Sequence, residues 1–168
     1  MANPALNTKA PQLVVHTGIS GESRNELASL LGVVLADSYQ LFIKNQGVHW
    51  NVAGPLFYSI HNLTEDHYNN LFAAVDEIAE RIRALGSKAP ASYTKYGELS
   101  SIEDNDEPAT AAQMVEMLAK DHETVCLSLR VAIEFCEGKS DFVTADMLTA
   151  RLAWHEEAIW MLSALLAE

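Results

Sequence analysis

The sequence predicts an all-α chain folded as a four-helix bundle. Three observations carry that reading. Apolar residues recur at helical spacing through four long stretches. Those stretches are bounded by capping residues and glycines. No segment alternates with the period of a strand, and there is no internal repeat. With 168 residues, 49% of them hydrophobic, the chain can bury one sizeable core. It reads as one bundle domain, 21–168, behind an N-terminal arm, 1–20.

The arm is punctuated by Pro and Gly, has no period, and is expected to be mobile. It carries one lysine, Lys9, and one histidine, His16. Ser20 or Ser23 caps the first helix. Its stripe is Leu27, Leu31, Val34, Leu41 and Val48; Leu30, Val33 and Leu35 widen it, so the helix is expected to be covered on two sides. Gly54-Pro55 makes a turn, with Pro at a first helical position. The second helix runs over about 56–85, with Leu63, Leu71, Val75, Ile78, Ile82 and Leu85 as its stripe, and Gly86 stops it.

Residues 86–109 form the longest break, and Tyr93–Leu99 can form a short helix within it. The acids Glu103, Asp104, Asp106 and Glu107 suit a solvated helix start. Thr110 and Gln113 make a capping box for the third helix, 111–137. Its stripe is Met114, Met117/Leu118, Val125, Leu129 and Ile133, and Gly138 is read as its stop. His122, mid-helix, reads as a hydrogen-bonded structural histidine. Ser140 or Asp141 caps the fourth helix, 142–166, with Met147/Leu148, Leu152, Ile159/Trp160, Leu162 and Leu166 as its stripe and His155 in its middle.

Composition excludes some functions. The net charge is −12. Duplex DNA binding needs Lys and Arg to neutralise phosphates, so a nucleic-acid partner is not expected. The acidity suits cations, and equally suits solubility. No apolar run near 18 residues is read, and the N-terminus lacks the pattern of a signal peptide, so no membrane partner and an intracellular location are expected. Cys126 and Cys136 lie ten apart on one helix, about 15 Å along its axis, too far for a bridge. They read as free thiols in a reducing compartment.

The chemistry concentrates on the second helix. His61 and Glu65 are four apart, as are Asp76 and Glu80, so each pair shares a face. The pairs are separated by a rise of roughly 16 Å. Metal–ligand bonds are near 2 Å, so one ion cannot touch both. Either the chain holds two half-sites, or two copies pair antiparallel and bring His61/Glu65 of one against Asp76/Glu80 of the other. His49 could join the first pair. Imidazole mixed with carboxylate suits iron, manganese or zinc. The bland alternative is a solvated face whose acids pair with Arg81 and Arg83. The Glu-x-x-His pairs of a self-contained di-iron bundle are absent, which favours the shared arrangement.

These residues resemble a known family. HWNV-x-GP-x-F from His49, the histidine twelve residues on, and D-x-x-AER-x-x-x-LG from Asp76 look like the Dps mini-ferritins. The resemblance covers nearly the whole chain after the first twenty or so residues. It implies a ferritin-like four-helix bundle with a short helix between helices two and three. It also implies a cytoplasmic, hollow homo-dodecamer with sites at its two-fold interfaces, each holding two iron ions. His49, His61 and Glu65 would come from one subunit, and Asp76 and Glu80 from its mate. The implied activity is Fe(II) oxidation, preferentially by hydrogen peroxide, with storage of ferric oxide and protection against oxidative stress. Trp50 would pass an electron near the site, and Glu137, Asp141 and Asp146 would line the three-fold pores.

The departures are specific. Glu65 stands where the family usually has Asp and reaches one methylene further. Glu157 replaces the lysine of HEK-x-x-WML, and Phe142 falls where some relatives carry an acid. The arm lacks the basic residues of relatives that bind DNA. Asp66 and His67 point about 100° and 200° from Glu65 and could supply an outer contact or an extra metal site. A DNA-protecting nucleoid protein, a zinc-binding structural bundle and a plain scaffold with solvated acids are the competing readings.

Overall fold

The computed structural model describes residues 15–107 and 109–167. Lys9 and the first fourteen residues of the expected arm lie outside the described residues. Five helices follow in order: α1 (Gly21–Asn51), α2 (Phe57–Ala84), α3 (Tyr93–Leu99), α4 (Ala111–Gly138) and α5 (Phe142–Leu166). The described residues contain no strand. The chain is all-α, as its periodicity predicts. Its four long helices form two hairpins, α1 with α2 and α4 with α5, joined chiefly through α1 on α4. Short α3 lies on α1.

The core is the sum of the four stripes. Leu27, Leu31, Val34, Leu41 and Val48 of α1 are buried, as are Leu71, Val75, Ile78 and Ile82 of α2. Leu118, Val125 and Leu129 of α4 meet Leu148 and Leu162 of α5 in the same cluster. Trp160 departs from its expected stripe position and is 67% exposed. Among the described helices, α1 alone is long and apolar enough to cross a membrane, and 56% of that stretch is buried inside the bundle. This corrects the reading that no such stretch exists. The reason is its two-sided packing: its apolar residues face the bundle core and also α3, where Tyr39 stacks on Tyr96 with centroids 4.5 Å apart.

Helix ends follow local chemistry. Ser20, of the two candidate serines, caps α1 by accepting from the Ser23 N–H at 3.1 Å. The turn at Gly54 (φ 106°) and Pro55 precedes α2 by two residues, so Pro55 sits in the turn rather than at the first helical position. Gly86, at φ 95°, ends α2: its N–H donates to the Arg83 carbonyl and Ser87 N–H to that of Ile82, the paired bonds of a Schellman motif. The Thr110–Gln113 capping box forms. At the end of α4, however, Gly138 is still helical. Ser140 takes the left-handed conformation, φ 58°, while the Asp141 N–H reaches the Cys136 carbonyl. The helix runs one residue beyond the expected stop, so the reversal falls on a serine.

Two buried charge networks set the bundle's geometry. Asp37 of α1 accepts from Ser100, Ser101 and Ser128, tying the loop after α3 and α4 to α1. Burial nevertheless pushes its carboxyl above the ordinary range. Lys44 of α1 pairs with Asp121 of α4 at 2.6 Å and donates to the Glu103 carbonyl.

Candidate metal centre

His49, in the last turn of α1, and His61, near the start of α2, are brought together by the Gly54-Pro55 turn. Their rings stack with centroids 3.7 Å apart and planes 16° apart. Each ring is locked by the other residue's backbone. His49 Nδ1 donates to the His61 carbonyl at 2.8 Å, and His61 Nδ1 donates to the His49 carbonyl at 2.9 Å. A carbonyl only accepts, so both Nδ1 atoms carry a proton, and in each neutral ring the lone pair falls on Nε2. This is the arrangement that prepares a histidine as a metal ligand. Phe57 stacks on His61 at 5.0 Å, and Tyr68 meets His49 edge-on at 5.2 Å.

Glu65 lies one turn beyond His61 and is exposed, with the Tyr68 hydroxyl 3.4 Å from its Oε1. Asp76 and Glu80 are exposed further along α2. Among the described residues of one subunit, no three His, Cys, Asp or Glu side chains gather where they could hold an ion. The subunit therefore presents a two-histidine seat with one adjacent carboxylate, and a separate carboxylate pair. Large apolar side chains near them along α1 and α2 are exposed: Trp50 (68%), Tyr58 (76%) and Phe72 (66%). An exposed patch of large apolar groups carrying ligand-type residues is a surface that suits a partner.

The three expected pore acids separate. Glu137 and Asp146 are exposed. Asp141 is buried and occupied within the subunit, which sets it apart from the other two. It caps α5 through the Thr144 N–H at 3.1 Å, takes the Thr144 hydroxyl at 2.6 Å, and receives Arg81 Nη2 at 2.9 and 3.0 Å. Burial alone would raise its carboxyl pKa; the Thr144 hydrogen bonds and the Arg81 guanidinium outweigh that and hold it below the ordinary range.

The ferritin-like domain family matches residues 28–168. The chain is 36% identical over 141 residues to DNA protection during starvation protein 2 of Bacillus anthracis, covering 84% of this chain and 97% of that protein. The chain belongs to the Dps mini-ferritins. An uncharacterized low temperature-induced protein of Nostoc sp. is 38% identical over 151 residues, 88% of this chain and 84% of its own length. Among solved structures, a Dps protein from Bacillus brevis superposes with a TM-score of 0.84 at 32% identity, covering 87% of this chain and 98% of that one. A function of the iron-storage type goes with the family.

One cluster escaped the sequence reading as a unit. His67 of α2, His122 of α4 and His155 of α5 converge in the bundle interior with Trp154. Its signal was register. His122 falls between Leu118 and Val125, His67 between Thr64 and Leu71, and His155 seven residues after Leu148, all on buried stripes. His122 is hydrogen-bonded and structural, as expected. His67 points inward, away from an outer contact with Glu65.

Proposed function

We propose that the protein is a ferroxidase and iron store whose site is completed between two subunits. The observation that carries this reading is the reciprocal His49–His61 lock, which offers two neutral Nε2 donors beside the Glu65 carboxylate. Asp76 and Glu80 of the two-fold mate supply the remaining oxygen ligands. Imidazole binds Fe(II), and carboxylates stabilise the higher charge of Fe(III), so the mixed set favours oxidation. Two Fe(II) give up one electron each to one hydrogen peroxide; with two protons, the O–O bond breaks to two waters and no hydroxyl radical is released. To Trp50, beside His49 and exposed, we assign the passing of an electron between iron and oxidant. Ferric oxide accumulates inside a hollow dodecamer in the cytoplasm, protecting against oxidative stress.

Glu137 and Asp146, both exposed, are our pore acids for Fe(II); Asp141 joins them only if it leaves Arg81. The net charge of −12 supports weak or no binding to duplex DNA. Zinc fits the same donors but has no redox chemistry. The test is an anaerobic Fe(II) titration followed by a peroxide pulse, read by ferric absorbance with particle mass on the same sample. Saturable binding, rapid oxidation and a dodecameric mass are expected, and Asp76→Ala/Glu80→Ala should lose the rapid phase. Unchanged initial rates in that variant would refute the assignment.

A further inference from the structure

The buried histidine cluster has no part in the chemistry proposed above. His67, His122 and His155 are 4%, 0% and 1% exposed. The only hydrogen bond among them joins His122 Nδ1 to His155 Nδ1 at 2.9 Å, between the middles of α4 and α5. Trp154 packs against all three rings, with centroids 5.5, 5.4 and 4.8 Å away. The Arg151 guanidinium lies over the Trp154 ring at 4.5 Å. Among the described residues, His67 Nδ1, His122 Nε2 and Arg151 Nη2 are buried without a partner.

A cation is a poor occupant. No three ligating side chains converge there among the described residues, and Arg151 adds a positive charge of its own that Glu77 of α2 only partly offsets. The distinctive feature is the contact between two like nitrogens. It is a hydrogen bond only while one Nδ1 carries a proton and the other a lone pair. With a proton on each, two donors face each other and the contact repels. We propose that His122 and His155 form an acid-sensitive latch between α4 and α5, closed while both rings are neutral and their facing nitrogens share one proton, and open when each ring takes up a further proton.

The surroundings support this direction. His67 from α2 and Arg151 from α5 bear on both rings, and both oppose added charge. Flanking acids give little relief: Asp121 is taken by Lys44 of α1, Glu156 pairs with Arg130 at the surface, Glu123 is exposed, and on α2 the exposed Glu77 and Asp66 bear on Arg151 and His67. Asp37 of α1 is held by Ser100, Ser101 and Ser128. Burial, first, and these neighbours hold both rings well below their ordinary value of 6.5. Histidines held neutral in the fold stabilise it above about pH 6.5 and lose that contribution as pH falls toward the depressed folded values. Two rings make the open-to-closed ratio rise by up to about a hundredfold per pH unit in that window.

The experiment uses the full-length, iron-free protein. Acid titration is followed by tryptophan fluorescence and by segment-resolved hydrogen exchange, with His122→Asn/His155→Asn beside the wild type. The paired amides keep a hydrogen bond near the Nδ1 positions but do not titrate. Wild type should loosen α4 and α5 before α1 below pH 6.5, taking up about two protons per subunit. The variant should move the midpoint down by about one pH unit or more and lose the two protons due to these rings, keeping only the dependence that His67, lowered to about 4 by burial, contributes. An unchanged midpoint and slope would overturn the latch. If the variant does not fold, exchange in the wild type decides alone: α4 and α5 opening no earlier than α1 overturns it.

Discussion

Asp141→Asn separates two roles that a carboxylate near a helix start can play. The amide keeps the cap on α5, because asparagine accepts from the Thr144 N–H as well as aspartate does. What it removes is the charge facing Arg81. The Asp141 and Arg81 side chains are 2% and 17% exposed, so the guanidinium is left largely buried without its counter-ion. Breaking such a pair costs about 3–5 kcal/mol when nothing replaces it. The retained amide oxygen and the Thr144 hydroxyl, 2.7 Å from Arg81 Nε, reduce the expected loss to about 2–3 kcal/mol. For a domain of this size, that lowers Tm by about 4–12 °C at matched protein concentration. Because the carboxyl is held below its ordinary value of 3.8, its contribution is complete above that pH and is lost only as pH falls through the folded value. The Tm gap should therefore be the same at pH 8 and pH 5. Glu137→Gln and Asp146→Asn, at exposed positions, should leave Tm within about 2 °C and instead slow Fe(II) uptake. An Asp141→Asn protein with unchanged Tm and slowed uptake would refute the structural assignment and restore Asp141 to the pore.

Ser140→Gly should stabilise the subunit by about 0.5–1 kcal/mol, because Ser140 holds φ 58° where glycine has no Cβ penalty; a lower Tm would contradict the cap geometry. Lys44→Met should cost about 3–5 kcal/mol by leaving Asp121 buried and unpaired. Lys44→Met/Asp121→Leu should recover most of that loss in a denaturation series, whereas additive losses would argue against a coupled pair.

The long helices were legible because their apolar residues repeat at 3.6-residue spacing, and a core needs little more than that. Ser20, Thr110 and Gly86 were legible for a local reason: each satisfies backbone groups within three or four residues. Ser140 was missed because the rule favouring glycine at a reversal does not say how far α4 runs. Asp141 could be read as cap or pore acid until Arg81, sixty residues earlier, was seen beside it. The candidate metal half-site divided along the same line. The i, i+4 pairs were written in the helix, but the reciprocal bonds that fix both imidazole tautomers depend on how the Gly54-Pro55 turn closes. Likewise, three histidines on three stripes do not declare a cluster until the bundle sets their heights.

The central claim is that each oxidation site draws its histidines from one subunit and its carboxylate pair from another. Mixing tests it most directly. His49→Ala/His61→Ala subunits and Asp76→Ala/Glu80→Ala subunits should each be inactive alone. Dissociated, combined in equal amounts and reassembled, they should regain about a quarter of the wild-type initial rate of peroxide-driven Fe(II) oxidation, because half the two-fold pairs are mixed and each mixed pair has one intact site. No recovery from a properly assembled mixture would contradict the shared site.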